Sequence, residues 1–187
     1  MTTSFVLFIL LHLCSVQLTV VAMPTCQMLG KVAENALHLL RDLAGPFPIE
    51  CLQYNANISF PDTAVPESRS SDDQCHQALW ALFESLRGAE LIFQEYDLPV
   101  GTTWDKKKLD NFLNLQNRLV KAGSCLSSVN DSSAISSYFT NVTAVIEDQD
   151  SASCGWMAMR RDLLRVMKST LQRHETCFSW RQVRHLG

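Results

Sequence analysis

Apolar residues along this chain recur mostly at spacings of three and four, and no strand-like alternation competes with them, so the chain reads as all-α. A first helix is predicted from about Met28 to Leu43, with Leu29, Val32, Ala36, Leu39, Leu40 and Leu43 spaced for burial and Gly45-Pro46 stopping it. Residues 44–72, rich in Pro and Ser, are too long for a tight hairpin and suit a crossover running the length of a bundle. A second helix follows Ser71-Asp72-Asp73, whose oxygens cap free amides and whose charges suit the helix dipole. Leu79, Leu82, Phe83, Leu86 and Phe93 supply its inner face. Pro99 and Gly101 precede a third helix, about Asp105 to Ala122, with Leu109, Phe112, Leu113, Leu119 and Val120 inward and Gly123 as terminator. A fourth, about Ser133 to Glu147, carries Ile135, Tyr138, Phe139, Val142, Val145 and Ile146.

The last helix, about Ser153 to His174, has two faces. A turn of about 100° per residue gathers Trp156, Met159, Leu163, Val166 and Met167 on one side, and Met157, Arg160, Arg161, Leu164, Arg165 and Lys168 on the other. The first stripe suits a core. The second, cationic with Met and Leu among the charges, suits a docking surface. The long crossover allows the second helix to run parallel to the first, giving an up-up-down-down bundle with an additional short helix.

The first 22 residues contain no Asp, Glu, Lys or Arg, and the apolar run Phe5 to Leu13 leads to small residues at Val20-Val21-Ala22, the pattern of a secretory signal peptide. Residues 1–22 are therefore expected to be removed, leaving 23–187 as one secreted, extracellular domain with no direct membrane insertion. Of the seven cysteines Cys14 leaves with the signal, and the rest, Cys26, Cys51, Cys75, Cys125, Cys154 and Cys177, imply disulfides in an oxidising compartment. In an up-up-down-down bundle Cys26, Cys75, Cys125 and Cys177 share one pole. Cys51 and Cys154 share the other and form the best supported pair, while topology leaves the partners at the crowded pole open. The sequons at Asn57, Asn130 and Asn141 fit the same route, with Asn57 and Asn130 in loop-like sequence and Asn141 on a helix beside core Val142.

A formal net charge of −3 gives no global reason to expect a nucleic-acid or anionic-membrane partner; the basic concentration is local, in the last helix and in Arg181, Arg184 and His185. The histidines beyond the expected signal peptide, His38, His76, His174 and His185, are scattered, without an HExxH pair or CxxC, so no metal or other cofactor is expected. No Gly-x-Ser-x-Gly elbow or phosphate-binding glycine loop points to an enzyme, and disulfides would consume any cysteine nucleophile.

Trp104-Asp105, Lys108-Leu109-Asp110, Phe112 and Ser124-Cys125, then Tyr138-Phe139 and Cys154-Gly155-Trp156, together with Cys51-Leu52 and Phe60-Pro61, follow one another in a known order. On these residues the chain resembles the type I interferons, and in its loop and helix details the fish ones, across essentially the whole of 23–187. Gly155 stands where that family usually has Ala, and Asn55 where many members have Arg. The resemblance implies Cys26 bonded to Cys125 and Cys51 to Cys154; the extra pair Cys75 and Cys177 is expected to bond to itself. It also implies a monomeric, nonenzymatic ligand that joins two chains of a heterodimeric class II cytokine receptor and triggers Janus kinase and STAT signalling with antiviral gene expression. The family's high-affinity site, carried over by position, is Leu52 with Arg160, Arg161, Leu164 and Arg165. Another secreted helical cytokine or hormone is the competing reading, expected to place its cysteines differently and to lack the Cys-x-Trp helix start; a nonsignalling decoy is the other.

Overall fold

The computed structural model describes residues 26–54, 56, 58–67, 72–99, 102–127 and 133–180. Residues 1–22, expected to be a signal peptide, the sequons at Asn57 and Asn130, Asn55, Ser71 and the tail Arg181, Arg184 and His185 lie outside the described residues. Five α-helices stand among them: α1 Gly30–Arg41, α2 Asp72–Glu95, α3 Lys106–Ala122, α4 Ser133–Glu147 and α5 Ala152–Arg173. Short 3-10 turns at Ile49–Tyr54 and Asp62–Ala64 interrupt the crossover between α1 and α2. No described helix is long and apolar enough to cross a membrane.

Contacts at the helix ends fix the directions. Cys26 bonds to Cys125 at one end of α1 and α3, while at the other the Asp105 N–H donates to the Leu43 carbonyl at 3.0 Å, so these helices are antiparallel. Gly30 N–H donates to Ser179 O at 2.9 Å, and Arg160 reaches Leu40, so α1 and α5 are antiparallel as well. Cys75–Cys177 joins the start of α2 to the turn after α5, and Cys51–Cys154 ties the crossover to the start of α5. Helix α4 instead runs with α2: Phe139 lies on Gly88, and the Tyr96 hydroxyl donates to Glu147 at 2.7 Å at the same sequence offset of 51. The result is an up-up-down-down bundle with α4 as the additional helix.

Helix α5 is its axis. It packs on α1, α2 and α4 and against the 3-10 turn Ile49–Tyr54. Trp156, fully buried, meets Phe93 at 5.0 Å and Trp104 at 6.0 Å between ring centroids, and Phe93 meets Phe112 at 6.2 Å, which fastens α2, α3 and α5 with one aromatic group.

Central placement corrects the two-faced reading of α5. Met157 and Arg160, assigned to its outward stripe, are buried, and Leu164 is half-buried; Arg160 stands four residues after Trp156, at the edge of the core face, and the end of α1 lies over it. In α1 the inner face runs along Ala33, Ala36 and Leu40, leaving Val32 and Leu39 half-buried; just before the helix Met28 is buried and Leu29 half-buried. The helix itself starts at Gly30, since Leu29 pairs with Ser179 in an isolated parallel bridge, in which Ser179 N–H donates to Met28 O and Gly30 N–H to Ser179 O. Gly123 does end α3, but with φ of −86°, so left-handed backbone is not its reason. A Cβ there would stand 2.9 Å from the Phe83 ring.

Candidate functional site

The C-terminal end of α1 leaves a run of carbonyls without helical partners, and Pro46 and Pro48 beyond it carry no N–H. Donors from other helices take them in sequence. Arg160 Nε donates to Leu40 O at 2.9 Å, its Nη2 to Arg41 O and to Ala44 O at 2.8 Å, and its Nη1 to Gly45 O at 3.1 Å. Lys108 Nζ donates to Asp42 O at 2.9 Å, and the backbone N–H of Asp105 serves Leu43 O. Asp105 is placed to do so because its own side chain caps α3, accepting from Lys108 N–H at 3.0 Å. Every carbonyl from Leu40 to Gly45 is thereby satisfied. Burial pushes the Arg160 guanidinium below its ordinary pKa, while the negative end of the α1 dipole favours the charge.

The crossover then descends along α5, held by two more arginines. Arg161 sits 4.9 Å from the centre of the Phe47 ring and donates from Nη2 to Ile58 O at 3.4 Å. Its charge is met by Asp162, at 2.8 Å from Nε and 2.9 Å from Nη2; that hydrogen-bonded pairing raises the guanidinium pKa. Asp162, only 2% exposed, also accepts from the Tyr138 hydroxyl of α4 at 3.1 Å. Burial first, and then this carboxylate, hold the phenol well above its usual range. Lower down, Arg165 donates from Nη2 to Phe60 O at 3.2 Å and pairs through Nη1 with Asp62 at 2.9 Å, its side chain half-exposed.

Of the five residues singled out from the sequence for docking, Leu52 and Arg165 face solvent, Arg161 and Leu164 are half-buried, and Arg160 is buried with its donors directed into the carbonyl run. Leu52 stands on the turn Ile49–Tyr54, which the Cys51–Cys154 bridge pins to α5. Sequence reasoning missed Ile49, an apolar side chain 81% exposed on the same turn, against 53% for Leu52. Its signal was an isoleucine between Pro48 and Cys51 in a loop, where no helical spacing asks for one. Asp162 was missed too, although a position three after Met159 and four before Val166 must point inward. Below Arg165, between the crossover and α5, lies a cavity of about 460 Å³ with Phe60, Val65 and Val166 in its lining and Lys168 and Arg173 on its α5 side.

Residues 26–176 match the family model described as the interferon alpha/beta domain. The chain belongs to the interferon alpha/beta family. This interferon is 28% identical over 141 residues to interferon type A1/A2 of Gallus gallus, covering 68% of each chain. It is 26% identical over 151 residues to interferon alpha-B of Bos taurus, covering 74% of this chain and 77% of that one. Among solved structures, zebrafish interferon 2 superposes with a TM-score of 0.63 at 28% identity, over 78% of this chain and 98% of that one. The bundle is thus a helical cytokine fold and the molecule an interferon cytokine of type I.

Proposed function

We propose that this interferon, secreted after removal of residues 1–22, docks through its crossover and α5 onto one chain of a heterodimeric class II cytokine receptor, recruits the second, and so activates Janus kinases, STAT factors and antiviral genes. The observation that carries the docking face is the exposed apolar pair Ile49 and Leu52, fixed beside α5 by the Cys51–Cys154 bridge and flanked by the half-exposed Arg165. Apolar side chains held on a stiff turn lose little entropy on binding, and an arginine fork supplies directional bonds to carboxylates. Leu164 and Arg161 border this face; Arg160 is assigned to holding it rather than to contact. Asn141, exposed on α4, is the sequon within the described residues and, with Asn57 and Asn130, is proposed to carry glycan.

The test is STAT phosphorylation in responsive cells of the source animal after adding the mature protein, with Leu52→Ala, Arg165→Glu and the swap Arg165→Glu/Asp62→Lys in parallel. Loss of most signalling in correctly folded Arg165→Glu, without rescue by the swap, is expected, because an exposed Arg165–Asp62 bridge contributes at most about 1 kcal/mol to the fold. Wild-type potency of Arg165→Glu and Leu52→Ala would reject the face. Binding of the unaltered protein to cells without phosphorylation would favour a decoy.

A further inference from the structure

We propose that Asp162 is a positioning residue for docking: through Arg161 and Tyr138 it grips both flanks of the turn Ile49–Tyr54 and holds the exposed Ile49 and Leu52 preformed, without itself touching a partner. The carboxylate is out of reach, 2% exposed beneath the crossover. Its Oδ1 accepts from Arg161 Nε at 2.8 Å, and its Oδ2 accepts from Arg161 Nη2 at 2.9 Å and from the Tyr138 hydroxyl at 3.1 Å. Neighbours one apart on a helix do not ordinarily face each other. Arg161 therefore has to fold back along α5 to reach this carboxylate, and in that posture its guanidinium lies against Phe47 ahead of the turn and on the Ile58 carbonyl behind it. Tyr138 completes the grip from α4, where its ring takes the edge of Phe60 at 5.1 Å between centroids. The Cys51–Cys154 bridge fixes the middle of the turn; the groups oriented by Asp162 fix its two sides.

An amide in place of the carboxylate keeps one oxygen for Tyr138 but loses the charge and the second acceptor, so the fork of Arg161 is no longer bound twice. The guanidinium then gains more from water than from the helix surface, and Phe47 and Ile58 lose their tether. A turn that is competent for only part of the time binds with an affinity reduced by that fraction. A residue that makes the contact behaves differently, since removing it chiefly speeds dissociation. These two signatures separate positioning from contact.

The binding half of this proposal rests on the docking face described above; the loop half does not. The experiment uses the full mature chain as wild type, Asp162→Asn, Tyr138→Phe and Leu52→Ala. It reads amide hydrogen exchange in the free protein, then association and dissociation of fluorescently labelled protein on responsive cells. For Asp162→Asn we expect exchange across residues 47–60 to rise about tenfold with the protection of α1 to α3 unchanged, and association to slow about tenfold with dissociation within about twofold of wild type. Tyr138→Phe should move the same quantities less. Leu52→Ala should leave exchange unchanged and dissociate faster. Unchanged exchange at 47–60 in Asp162→Asn overturns the proposal, as does a binding loss confined to dissociation. A loosened loop with wild-type binding overturns the role in docking, and wild-type binding by Leu52→Ala as well would place that failure in the docking face itself. Should Asp162→Asn fail to fold, Arg161→Gln releases the same flanks from a more exposed position, and the same readouts decide.

Discussion

Replacing Arg160 by Met keeps the aliphatic stem in place and removes every donor that the guanidinium aims at the end of α1. The Leu40 carbonyl is buried, and leaving it unpaired costs about 2 kcal/mol. The Arg41, Ala44 and Gly45 carbonyls are partly open to water, which takes over most of their bonding, so about 0.5 kcal/mol is assigned to each. Loss of a cation from the negative end of the α1 dipole adds about 1 kcal/mol. Against this stands the relief of desolvating the guanidinium, which burial already expresses as a lowered pKa, so the net loss is about 3 kcal/mol. For a domain of this size that lowers the melting temperature by about 6–12 °C. Urea and thermal denaturation of the oxidised protein followed by circular dichroism measure it directly, with Lys168→Met as a control expected within about 0.5 kcal/mol. Arg160→Lys should recover less than half, since an ammonium cannot span carbonyls from Leu40 to Gly45 as a planar fork does. A loss below about 1 kcal/mol in Arg160→Met would refute the reasoning and return Arg160 to the solvated stripe.

Two further predictions concern stability. Gly155→Ala restores the residue usual in the family but sets a Cβ 2.6 Å from Ile146 Cγ1 and 3.0 Å from its backbone nitrogen. Despite the better helix propensity of alanine, the denaturation midpoint should fall by the equivalent of about 1–2 kcal/mol. Tyr138 is held above its ordinary pKa, so its neutral phenol stabilises the fold fully below about pH 10, the unfolded value, and that stabilisation is lost as pH rises beyond it. Melting temperatures taken between about pH 9 and 11 should therefore fall more steeply for wild type than for Tyr138→Phe; equal slopes would remove the phenol from the account.

The bundle was legible because burial of a helix face depends on spacing within the helix itself. The expected Ser133 to Glu147 helix agrees at both ends with α4, and Trp156, Met159 and Leu163, grouped by their turn angle, are all buried. The path of the crossover was not legible. Its position over α5 depends on donors that come from far along the chain, Lys108 and Arg160 for the α1 end and Arg165 for Phe60, and no local pattern announces which carbonyl each will find. For Arg160 the spacing did carry a signal, since it stands four residues after Trp156, about 40° away on a helical wheel and so at the edge of the buried face, but which carbonyls it would meet was not legible. Ile49 escaped because an isolated exposed isoleucine has no periodicity to detect.

The three arginines of α5 are alike in sequence and differ in what the crossover leaves to them. At the top, where α1 ends over α5, Arg160 is 7% exposed and its donors are spent on backbone. One residue on, the Arg161 side chain is 32% exposed, its charge matched by Asp162 and its face covered by Phe47. A turn lower the crossover stands off, and the Arg165 side chain is 50% exposed, opposed by an Asp62 that is itself 81% exposed and thus readily exchanged for a partner's carboxylate. Cationic docking capacity therefore rises down the helix, while the apolar anchor sits at the top on the turn bearing Ile49 and Leu52. A receptor that engages both must lie lengthwise along the crossover, and the grip of Asp162 between the two ends is what keeps them in one geometry.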